Sequence, residues 1–581
     1  MPTHTSQKLA RALIGLALVA LAALQGLMIL KYVRAANTDQ PLGALHPDRH
    51  PVTPPRARPA DRPDRVVLVV LDGLRDDTAR QMPALADLGL RWPFLSAQAP
   101  IPSLSRPSYA SMASGAEPWR TGIRTNGFAS PVRVDTFMRR ARDAGLKVRG
   151  AGNLDFWGQN YADDFNPWRT THAWDQPQEV DALIHQMLAL PSDLLVIHLI
   201  EMDRVGHDHG GASPQYAQVA QALDARLKKL FKEIDLQRQT LIITADHGHM
   251  DDGGHGGGEP VVRLVPLLMA GKGIKPGPAS GDVGDLGQIA PTIALLLGIE
   301  LPRDLSLPPV EAALDPTLFD AAHLDARRAE WRDHRAAYER RWLEDVHAAW
   351  TSVRWSGEVV GNDVSAATVV DQSASLETLI EARERTLGEI HRDHRVARTP
   401  LVALIVVPLL VLLVIGGLRG FKMAPIAVAP VAGLTTAALY LGALGRPFSF
   451  SAIASYGQIA VEIGLCFALG LAASFALQAS LLRKVDPEIK TPARLFHATY
   501  AALLHAAVAP LFWLLWGFAI DAPLPGPALM FLPLFAGYTG GLFCAAAGLA
   551  CILTAPFMPP STAASTPSTP SSMVHDGATG H

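Results

Sequence analysis

The sequence predicts an α/β domain with a largely parallel sheet flanked by helices, joined to a multispan α-helical membrane domain. Between residues 65 and 300, short apolar runs alternate with helical patterns, which is typical of parallel sheets. One apolar stretch near the N-terminus and five more after residue 399 each have about the length of a membrane-spanning helix. At 581 residues, the chain is long enough for two or three such units.

Residues 1–34 are predicted to be a cytoplasmic N-terminus followed by a transmembrane anchor. The apolar stretch over 12–30 is longer than the core of a signal peptide, which usually has about 7–15 residues. An anchor therefore fits better than a cleaved leader. Residues 35–64 are rich in proline, and we expect them to form a stiff linker between the anchor and the next domain.

The domain over 65–305 contains five predicted strands. They are RVVLVVLD (65–72), LKVRGAG (146–152), DLLVIHLI (193–200), TLIITAD (240–246) and PLLMAG (266–271). Helical spacing over 214–234 predicts a helix between the third and fourth strands. Ligands of such sheets bind beyond the carboxyl ends of the strands, so polar residues that follow a strand are candidate site residues.

Residues 306–398 are charged and have helical patterns, which predicts a helical stalk. The five C-terminal spans lie within 399–556, and the Ser/Thr/Pro-rich tail over 557–581 is expected to be disordered. Basic residues lie after the first and the third of these spans, at Arg419, Lys422, Arg483, Lys484, Lys490 and Arg494. The positive-inside rule makes both loops cytoplasmic. This orientation predicts cytoplasmic termini and a catalytic domain on the periplasmic or luminal side.

One predicted metal site combines Asp203, His207 and His255. Asp203 and His207 are four residues apart in EMDRVGHDHGG, so both can bind one ion from a single turn. His255 lies in the segment GGHGGG, where glycines allow a tight loop to bring the imidazole to the same ion. Histidine ligands favour zinc over calcium.

A second predicted metal site combines Asp72, Asp246 and His247 with the hydroxyl of Ser105. Asp72 ends the first predicted strand, and Asp246 and His247 are adjacent at the end of the fourth. A serine hydroxyl is a weak nucleophile near neutral pH, and binding to a metal as an alkoxide is one way to activate it. Two divalent ions, with zinc favoured, would ionise the serine and stabilise the charge on a transferring phosphoryl group.

These motifs resemble those of the alkaline phosphatase superfamily, in particular its nucleotide pyrophosphatase/phosphodiesterase-like branch. The resemblance covers about 65–300 and consists of five motifs in the same order: Asp72-Gly73, Ser105-Arg106-Pro107, Asp203 to His207, Asp246-His247-Gly248 and His255-Gly256. It implies an alkaline-phosphatase-like fold, a two-zinc site and Ser105 as the nucleophile. It also implies that Asn126, in GIRTNG, helps to hold the phosphoryl oxygens. Two roles stay open for Arg106, packing within its loop or contact with a phosphoryl oxygen.

The overall arrangement resembles that of the GPI ethanolamine phosphate transferases. Those proteins have one N-terminal span, an outer alkaline-phosphatase-like domain and a multispan C-terminus, and their segments are similar to SRPSYASMASG, GNLDFW and HLIEMDRVGHDHGG. This chain departs from them in its shorter membrane part and in Tyr109, which replaces a histidine. Sulfatases fit less well, because Tyr109 also stands where their motif has arginine.

The resemblance implies a membrane-bound phosphotransferase that acts through a covalent Ser105 intermediate. It would move phosphoethanolamine, or a similar phospho-group, from a phospholipid donor to a glycolipid or another hydroxyl acceptor. The alternative is a hydrolase of the phosphodiesterase or nucleotide pyrophosphatase type, which passes the same intermediate to water. The formal charge of −3 gives no information about nucleic acid, and the sequence has no basic segments interleaved with aromatic residues that would indicate it. Nucleic acid is therefore not expected as a binding partner.

Overall fold

The computed structural model describes residues 4–38, 62–171, 175–352, 375–418, 429–444, 449, 451, 456–481, 496–508, 511 and 527–554. Within these ranges, the strands are β1 Arg65–Leu71, β2 Phe94–Gln98, β3 Val148–Gly152, β4 Trp168–Thr170, β5 Leu194–Leu199, β6 Gln239–Thr244, β7 Leu264–Gly271 and β8 Asp282–Asp285. The α-helices up to the end of the sheet domain are α1 His4–Thr38, α2 Asp76–Ala79, α3 Pro83–Gly89, α4 Ser105–Ser114, α5 Pro118–Thr121, α6 Phe137–Asp143, α7 Phe156–Tyr161, α8 Pro177–Ala189, α9 Glu201–His209, α10 Pro214–Leu230, α11 Pro260–Arg263 and α12 Ile289–Leu297. Those that follow are α13 Ala321–Ser352, α14 Leu376–Leu418, α15 Ala429–Ala438, α16 Tyr456–Leu481, α17 496–508 and α18 Pro527–Thr554.

The eight described strands form one sheet in the order β4-β3-β5-β1-β6-β7-β2-β8. Five of its seven pairings are parallel, and the two pairings of β7 are antiparallel. The sheet is therefore largely parallel, as predicted, but it is mixed, because β7 runs antiparallel to both of its neighbours. The connection from β6 to β7 contains only the four-residue α11, whereas a parallel return usually requires a longer crossover helix.

The five predicted strands are present as β1, β3, β5, β6 and β7, and the predicted helix is present as α10. The sequence analysis did not predict β2, β4 and β8. β4 has three residues and β8 has four, and β8 contains aspartate and glycine, which strands disfavour. These strands lie at or next to the edges of the sheet.

The centre of the sheet is formed by β5, β1 and β6, and α12 packs against β1. Every residue of β1 from Val66 to Leu71 is fully buried. This burial explains why the strand is a continuous apolar run rather than an alternating one. α12 is also buried along its whole length, so the domain has an ordinary hydrophobic core around the strands that carry the candidate site.

A buried carboxylate joins the sheet domain to the predicted stalk. Glu339, on α13, is fully buried and accepts hydrogen bonds from Arg120 at 2.6 Å and Arg383 at 3.1 Å. Arg335, one turn away, lies 2.8 Å from the same carboxylate. Arg383 belongs to α14, a single helix of 43 residues whose second half is apolar. The ion cluster therefore connects the catalytic domain to the helix that leads into the apolar part of the chain.

Two of the described helical segments, Lys8–Leu27 and Val461–Leu481, are long and apolar enough to cross a membrane. Shorter apolar helical stretches lie within other predicted spans, at Ala403–Leu412, Val431–Ala443 and Phe535–Leu549. α1 packs along α18, and α15 packs along α16. Most of the predicted linker and the whole predicted tail lie outside the described residues. The domain limits and the six-span topology stay predictions.

Candidate metal and nucleophile site

The candidate site lies at the carboxyl ends of the three central strands. Asp72 follows β1 directly, and Asp246 comes two residues after the end of β6. Asp203 and His207 lie on α9, which begins immediately beyond β5. Because β5, β1 and β6 are adjacent and parallel, their ends bring the three aspartates together.

Gly73 allows β1 and α9 to approach each other at the site. Its φ is +75°, in the left-handed region that favours glycine. A Cβ at this position would lie 2.5 Å from the Cα of Asp203. The Gly73 amide donates a hydrogen bond to Oδ1 of Asp246 at 3.0 Å. Gly73 thus sets how closely Asp203 and Asp246 approach the end of β1.

One group of potential metal ligands contains Asp72, Asp246 and His247, all fully buried. Nε2 of His247 lies 3.5 Å from Oδ1 of Asp72 and 3.3 Å from Oδ2 of Asp246. Within the described part of the chain, neither of these two carboxylate oxygens has a hydrogen-bond partner. Buried, unpartnered carboxylate oxygens are costly without a nearby cation.

A second group lies around Oδ1 of Asp203. Nε2 of His249 is 3.0 Å away, Nε2 of His207 is 3.4 Å away, and Nε2 of His255 is 3.6 Å away. Nε2 of His207 also lies 3.1 Å from Nε2 of His255. The ring of His247 stacks on that of His255 with the centroids 3.7 Å apart, so the two groups are in contact.

Backbone carbonyls orient two of the imidazoles. Nδ1 of His247 donates to the carbonyl of Gly248, and Nδ1 of His255 donates to that of Ser103, each at 3.1 Å. These bonds direct both Nε2 atoms toward the carboxylates. Burial lowers the pKa of His247 to about 4 and lowers the pKa of His255 well below its usual value. Both rings are therefore neutral near pH 7, the form that binds metals.

Ser105 is the first residue of α4, where the helix dipole favours negative charge. Its Oγ lies 3.3 Å from Nε2 of His247 and accepts a hydrogen bond of 3.3 Å from Nδ2 of Asn126. The backbone amide of Arg106 donates to Oδ1 of Asn126 at 3.0 Å and so orients the amide group. The structure thus brings the predicted serine and asparagine next to the group of Asp72, Asp246 and His247.

Of the two roles left open for Arg106, the contacts of its guanidinium favour packing within its loop, and its role as a substrate-binding candidate stays a prediction. The guanidinium donates to the carbonyl of Phe128, to Oδ1 of Asn160 at 3.0 Å and to Oε1 of Gln159 at 2.5 Å. It also lies over the ring of Phe156, 4.1 Å from the centroid. The side chain holds this loop together, while its backbone amide positions the asparagine.

Sequence reasoning missed two residues that contact Asp72. The hydroxyl of Tyr109 donates to Oδ2 of Asp72, and Nε2 of His198 lies 3.0 Å from the same oxygen. Nε2 of His198 is also 2.8 Å from the Tyr109 hydroxyl. A histidine inside the apolar strand LLVIHL was the signal for His198. Tyr109 was noted only as a departure from related motifs.

The donor set fits divalent metal binding. It contains three aspartates and four histidines, namely Asp72, Asp203, Asp246, His207, His247, His249 and His255. Burial raises the pKa of Asp246, and the neighbouring carboxylates of Asp72 and Asp203 raise it further. The side chain of His207 is 33% exposed, so the site reaches solvent at its edge.

Comparison with known proteins agrees with this chemistry. Residues 166–301 match the model of the Metalloenzyme superfamily. The chain therefore carries a metalloenzyme domain of the alkaline phosphatase type and is an enzyme of that class.

The chain is similar to several GPI ethanolamine phosphate transferases. It is 26% identical over 267 residues to the catalytic subunit of GPI ethanolamine phosphate transferase 2 from Homo sapiens, over 41% of this chain and 27% of that protein. It is 27% identical over 316 residues to GPI ethanolamine phosphate transferase 1 from Neurospora crassa, over 43% of this chain and 31% of that protein. The matched region thus spans less than a third of the length of these relatives.

Solved structures with similarity include murine ectonucleotide pyrophosphatase/phosphodiesterase 5 in complex with AMP. Its TM-score is 0.38 at 13% identity, covering 43% of this chain and 100% of that chain. Wild-type alkaline phosphatase PafA has a TM-score of 0.36 at 14% identity, covering 45% of this chain and 100% of that chain.

Proposed function

We propose that this protein is a membrane-bound phosphotransferase that moves phosphoethanolamine, or a similar phospho-group, from a phospholipid to a glycolipid or another hydroxyl acceptor. The arrangement of Ser105 carries the proposal. Its hydroxyl is at a helix N-terminus, 3.3 Å from both the Asn126 amide and the His247 imidazole, beside two groups of metal-binding side chains. The similarity to GPI ethanolamine phosphate transferases supports the choice of transferred group.

Two divalent ions, zinc by the nature of the donors, complete the proposed site. Asp203, His207 and His255 would hold one ion, and Asp72, Asp246, His247 and Ser105 would hold the other. When bound, such ions lower the pKa of a coordinated hydroxyl and stabilise charge on a phosphoryl group. Zinc binds well to this combination of imidazole and carboxylate.

The proposed reaction has two steps at phosphorus. In the first step, Oγ of Ser105 loses its proton and forms a bond to phosphorus, and the bond from phosphorus to the diacylglycerol oxygen breaks. The leaving oxygen takes up a proton. In the second step, an acceptor hydroxyl forms the new phosphorus–oxygen bond and loses its proton, while Oγ of Ser105 leaves and is reprotonated. The Asn126 amide, 3.3 Å from Oγ, is placed to donate a hydrogen bond to a phosphoryl oxygen during both steps.

A membrane location suits lipid substrates. The apolar segments Lys8–Leu27 and Val461–Leu481 support at least one membrane anchor. We propose the multi-pass topology predicted from the sequence, with the catalytic domain on the periplasmic or luminal side and both termini cytoplasmic. The donor and the acceptor would then both lie in the membrane leaflet that faces the catalytic domain.

A phosphodiesterase or nucleotide pyrophosphatase-type hydrolase is the second candidate function. The partial exposure of the His207 side chain favours it, because water can reach the edge of the site. The reaction would differ only in its second step, in which water replaces the acceptor hydroxyl.

The fraction in which the labelled product appears distinguishes the transferase from the hydrolase. The full-length protein is loaded with zinc in mixed micelles that contain phosphatidylethanolamine, labelled in the ethanolamine, and a membrane glycolipid extract. A transferase moves the label into the glycolipid fraction, and Ser105→Ala abolishes this transfer. Release of the label only as water-soluble phosphoethanolamine would favour the hydrolase, and transfer that persists in Ser105→Ala would contradict both mechanisms.

A further inference from the structure

His249 is an additional imidazole beside Asp203 that neither proposed ligand set includes. It is completely buried, whereas the next aspartates in its loop, Asp251 and Asp252, are exposed. Its Nε2 lies 3.0 Å from Oδ1 of Asp203. The donor atoms of Asp203, His247, His249 and His255 all lie within 4.8 Å of one another.

The distances around Asp203 match those between ligands of one ion. Oδ1 of Asp203 lies 3.0, 3.4 and 3.6 Å from three imidazole nitrogens, those of His249, His207 and His255. Two of these nitrogens, on His207 and His255, are 3.1 Å apart. Ligand atoms about 2.0–2.1 Å from a tetrahedral zinc ion lie about 3.3 Å from one another. The His249 contact falls in the same range as the contacts of the two histidines that the motifs identified.

The fold leaves space for the His249 ring. A Cβ at Gly206 would lie 2.4 Å from Cδ2 of that ring, so the ring requires glycine at this point of α9. The helix that carries Asp203 and His207 therefore also provides the gap through which the third imidazole reaches them. Nδ1 of His249 is buried and has no hydrogen-bond partner among the described residues, so Nε2 makes the polar contact of this side chain.

We propose that His249 binds the Asp203 ion directly through Nε2. Asp203, His207, His249 and His255 would then form a site with four protein ligands. This inference rests on the proposed function, because it assumes that the site holds metal ions. Four protein ligands complete a tetrahedral zinc ion, which is the usual composition of a closed site.

The group of Asp72, Asp246 and His247 has fewer protein ligands. Asp72, Asp246 and His247 supply three protein ligands, which leaves one position for Oγ of Ser105. The two ions would thus have different roles. The ion held by Asp203, His207, His249 and His255 would supply fixed positive charge near the phosphoryl group, and Asp72, Asp246 and His247 would hold the ion beside Oγ of Ser105.

Substitutions at His249 separate direct metal binding from a hydrogen bond to Asp203. Glutamate can bind a metal but cannot donate a hydrogen bond, whereas glutamine can donate but is a poor metal ligand. The full-length protein and the variants His249→Ala, His249→Gln and His249→Glu are titrated with cobalt, and bound cobalt per chain, affinity and visible absorption are measured. His209→Ala is the matched control, because His209 lies on α9 and is exposed.

We expect His249→Ala to lower the affinity for one of the two cobalt ions at least about 100-fold. Residues that only orient a ligand typically cost about 10–100-fold in affinity. His249→Glu should recover most of this affinity and a four-coordinate spectrum, His249→Gln should recover neither, and His209→Ala should bind as the parent does. Recovery by glutamine alone, or unchanged binding in His249→Ala, would overturn the proposal.

Thermal unfolding of the metal-free proteins shows whether each variant is folded, and the comparison of glutamate with glutamine decides the question even if His249→Ala is unstable. The result is independent of lipid transfer. A protein that binds two ions as expected but transfers no phospho-group would contradict the proposed function and leave the role of His249 intact. A parent protein that binds no cobalt would contradict both.

Discussion

At the scale of single residues, Asp72 shows how the protein orients a candidate metal ligand. Its Oδ2 contacts the Tyr109 hydroxyl and Nε2 of His198, which leaves Oδ1 facing His247. Burial raises the pKa of Tyr109 well above its usual value, and the carboxylate of Asp72 adds to this effect. The tyrosine is therefore protonated near neutral pH and acts as a hydrogen-bond donor to Asp72.

Tyr109→Phe removes this donor without removing the ring. We expect the affinity for one metal ion to fall about 10–100-fold, because the carboxylate loses part of its orientation. Tyr161→Phe is a matched control, since both rings pack on Trp157 and the Tyr161 hydroxyl is buried without a hydrogen-bond partner in the described residues. Equal metal affinity of the two variants in a competition titration would show that the Tyr109 hydroxyl does not orient Asp72.

Asp72, Asp203 and Asp246 could be predicted to lie close together because residues that follow adjacent parallel strands lie at one edge of the sheet. His198 and Tyr109 could not be placed in the same way. His198 lies inside β5, and its contact with Asp72 depends on the register between β5 and β1. Arg106 was assigned two open roles, and only the positions of Gln159 and Asn160 show which groups its guanidinium contacts.

At the scale of elements, the end of β1 and the start of α9 are held close together by Gly73. Gly73→Ala would place a Cβ 2.5 Å from the Cα of Asp203 and would strain a backbone with φ of +75°. We expect the free energy of unfolding of the catalytic domain to fall by about 2–4 kcal/mol. The shift in unfolding midpoint of the metal-free protein measures this change.

Gly145→Ala is the matched control for that change. Gly145 has nearly the same φ, +77°, but no described atom lies within 4 Å of its Cβ position. Gly145→Ala should therefore lower the free energy of unfolding only by the backbone strain, about 1 kcal/mol. Equal destabilisation by the two substitutions would show that close approach to α9 is not important at Gly73.

Asp285, which caps the turn before α12, should make stability depend on pH. Burial raises its pKa to about 6, with a further contribution from the nearby carboxylate of Glu117. The folded-state pKa of Asp285 is above its unfolded value. The contribution of this carboxyl to the free energy of unfolding is therefore fully present below about pH 4 and is lost as the pH rises through about 6.

Asp285→Asn keeps an acceptor for the Gly287 amide, which now donates to Asp285 at 2.8 Å. We expect the variant to be more stable than the parent by about 1–2 kcal/mol at pH 7, because partial exposure of the carboxyl reduces the effect of burial. The difference should vanish near pH 4. Denaturant unfolding at the two pH values tests this, and a variant that is less stable at pH 7 would contradict the assignment.

At the scale of the whole molecule, two serines that lie between apolar helices in the sequence contact the segment that follows His255. The carboxylate of Glu259 accepts hydrogen bonds from the hydroxyls of Ser449 and Ser451, the latter at 2.5 Å. The amide of Gly257 donates to the Ser451 hydroxyl at 2.8 Å. Ser449 and Ser451 lie between α15 and α16, so these bonds connect the apolar part of the chain to the glycine-rich loop of the site.

Under the proposed function, Glu259→Ala should affect lipid substrates selectively. We expect transfer from phosphatidylethanolamine in vesicles to fall about tenfold or more, since the loop is no longer held against the membrane part, while turnover of a soluble nitrophenyl phosphodiester changes by less than about twofold. The double variant Ser449→Ala and Ser451→Ala should behave in the same way. An equal loss on both substrates would mean that the contact supports the site itself.

The sequence predicted the overall plan of the chain better than its connections. The apolar runs identified the central strands, and the charged pattern of 306–398 indicated helices that are present as α13 and the first half of α14. The antiparallel course of β7 and the contact of Glu259 with the 449–451 segment depend on long-range packing, which periodicity does not reveal.

The intact mass of the full-length, zinc-loaded protein after brief exposure to phosphatidylethanolamine tests the central claim most directly. The account predicts a gain of one phosphoethanolamine group on the parent protein and none on Ser105→Ala, because Oγ of Ser105 forms the covalent intermediate. An adduct on Ser105→Ala, or no adduct on a parent protein that still transfers phosphoethanolamine when the reaction is stopped rapidly with acid, would contradict it.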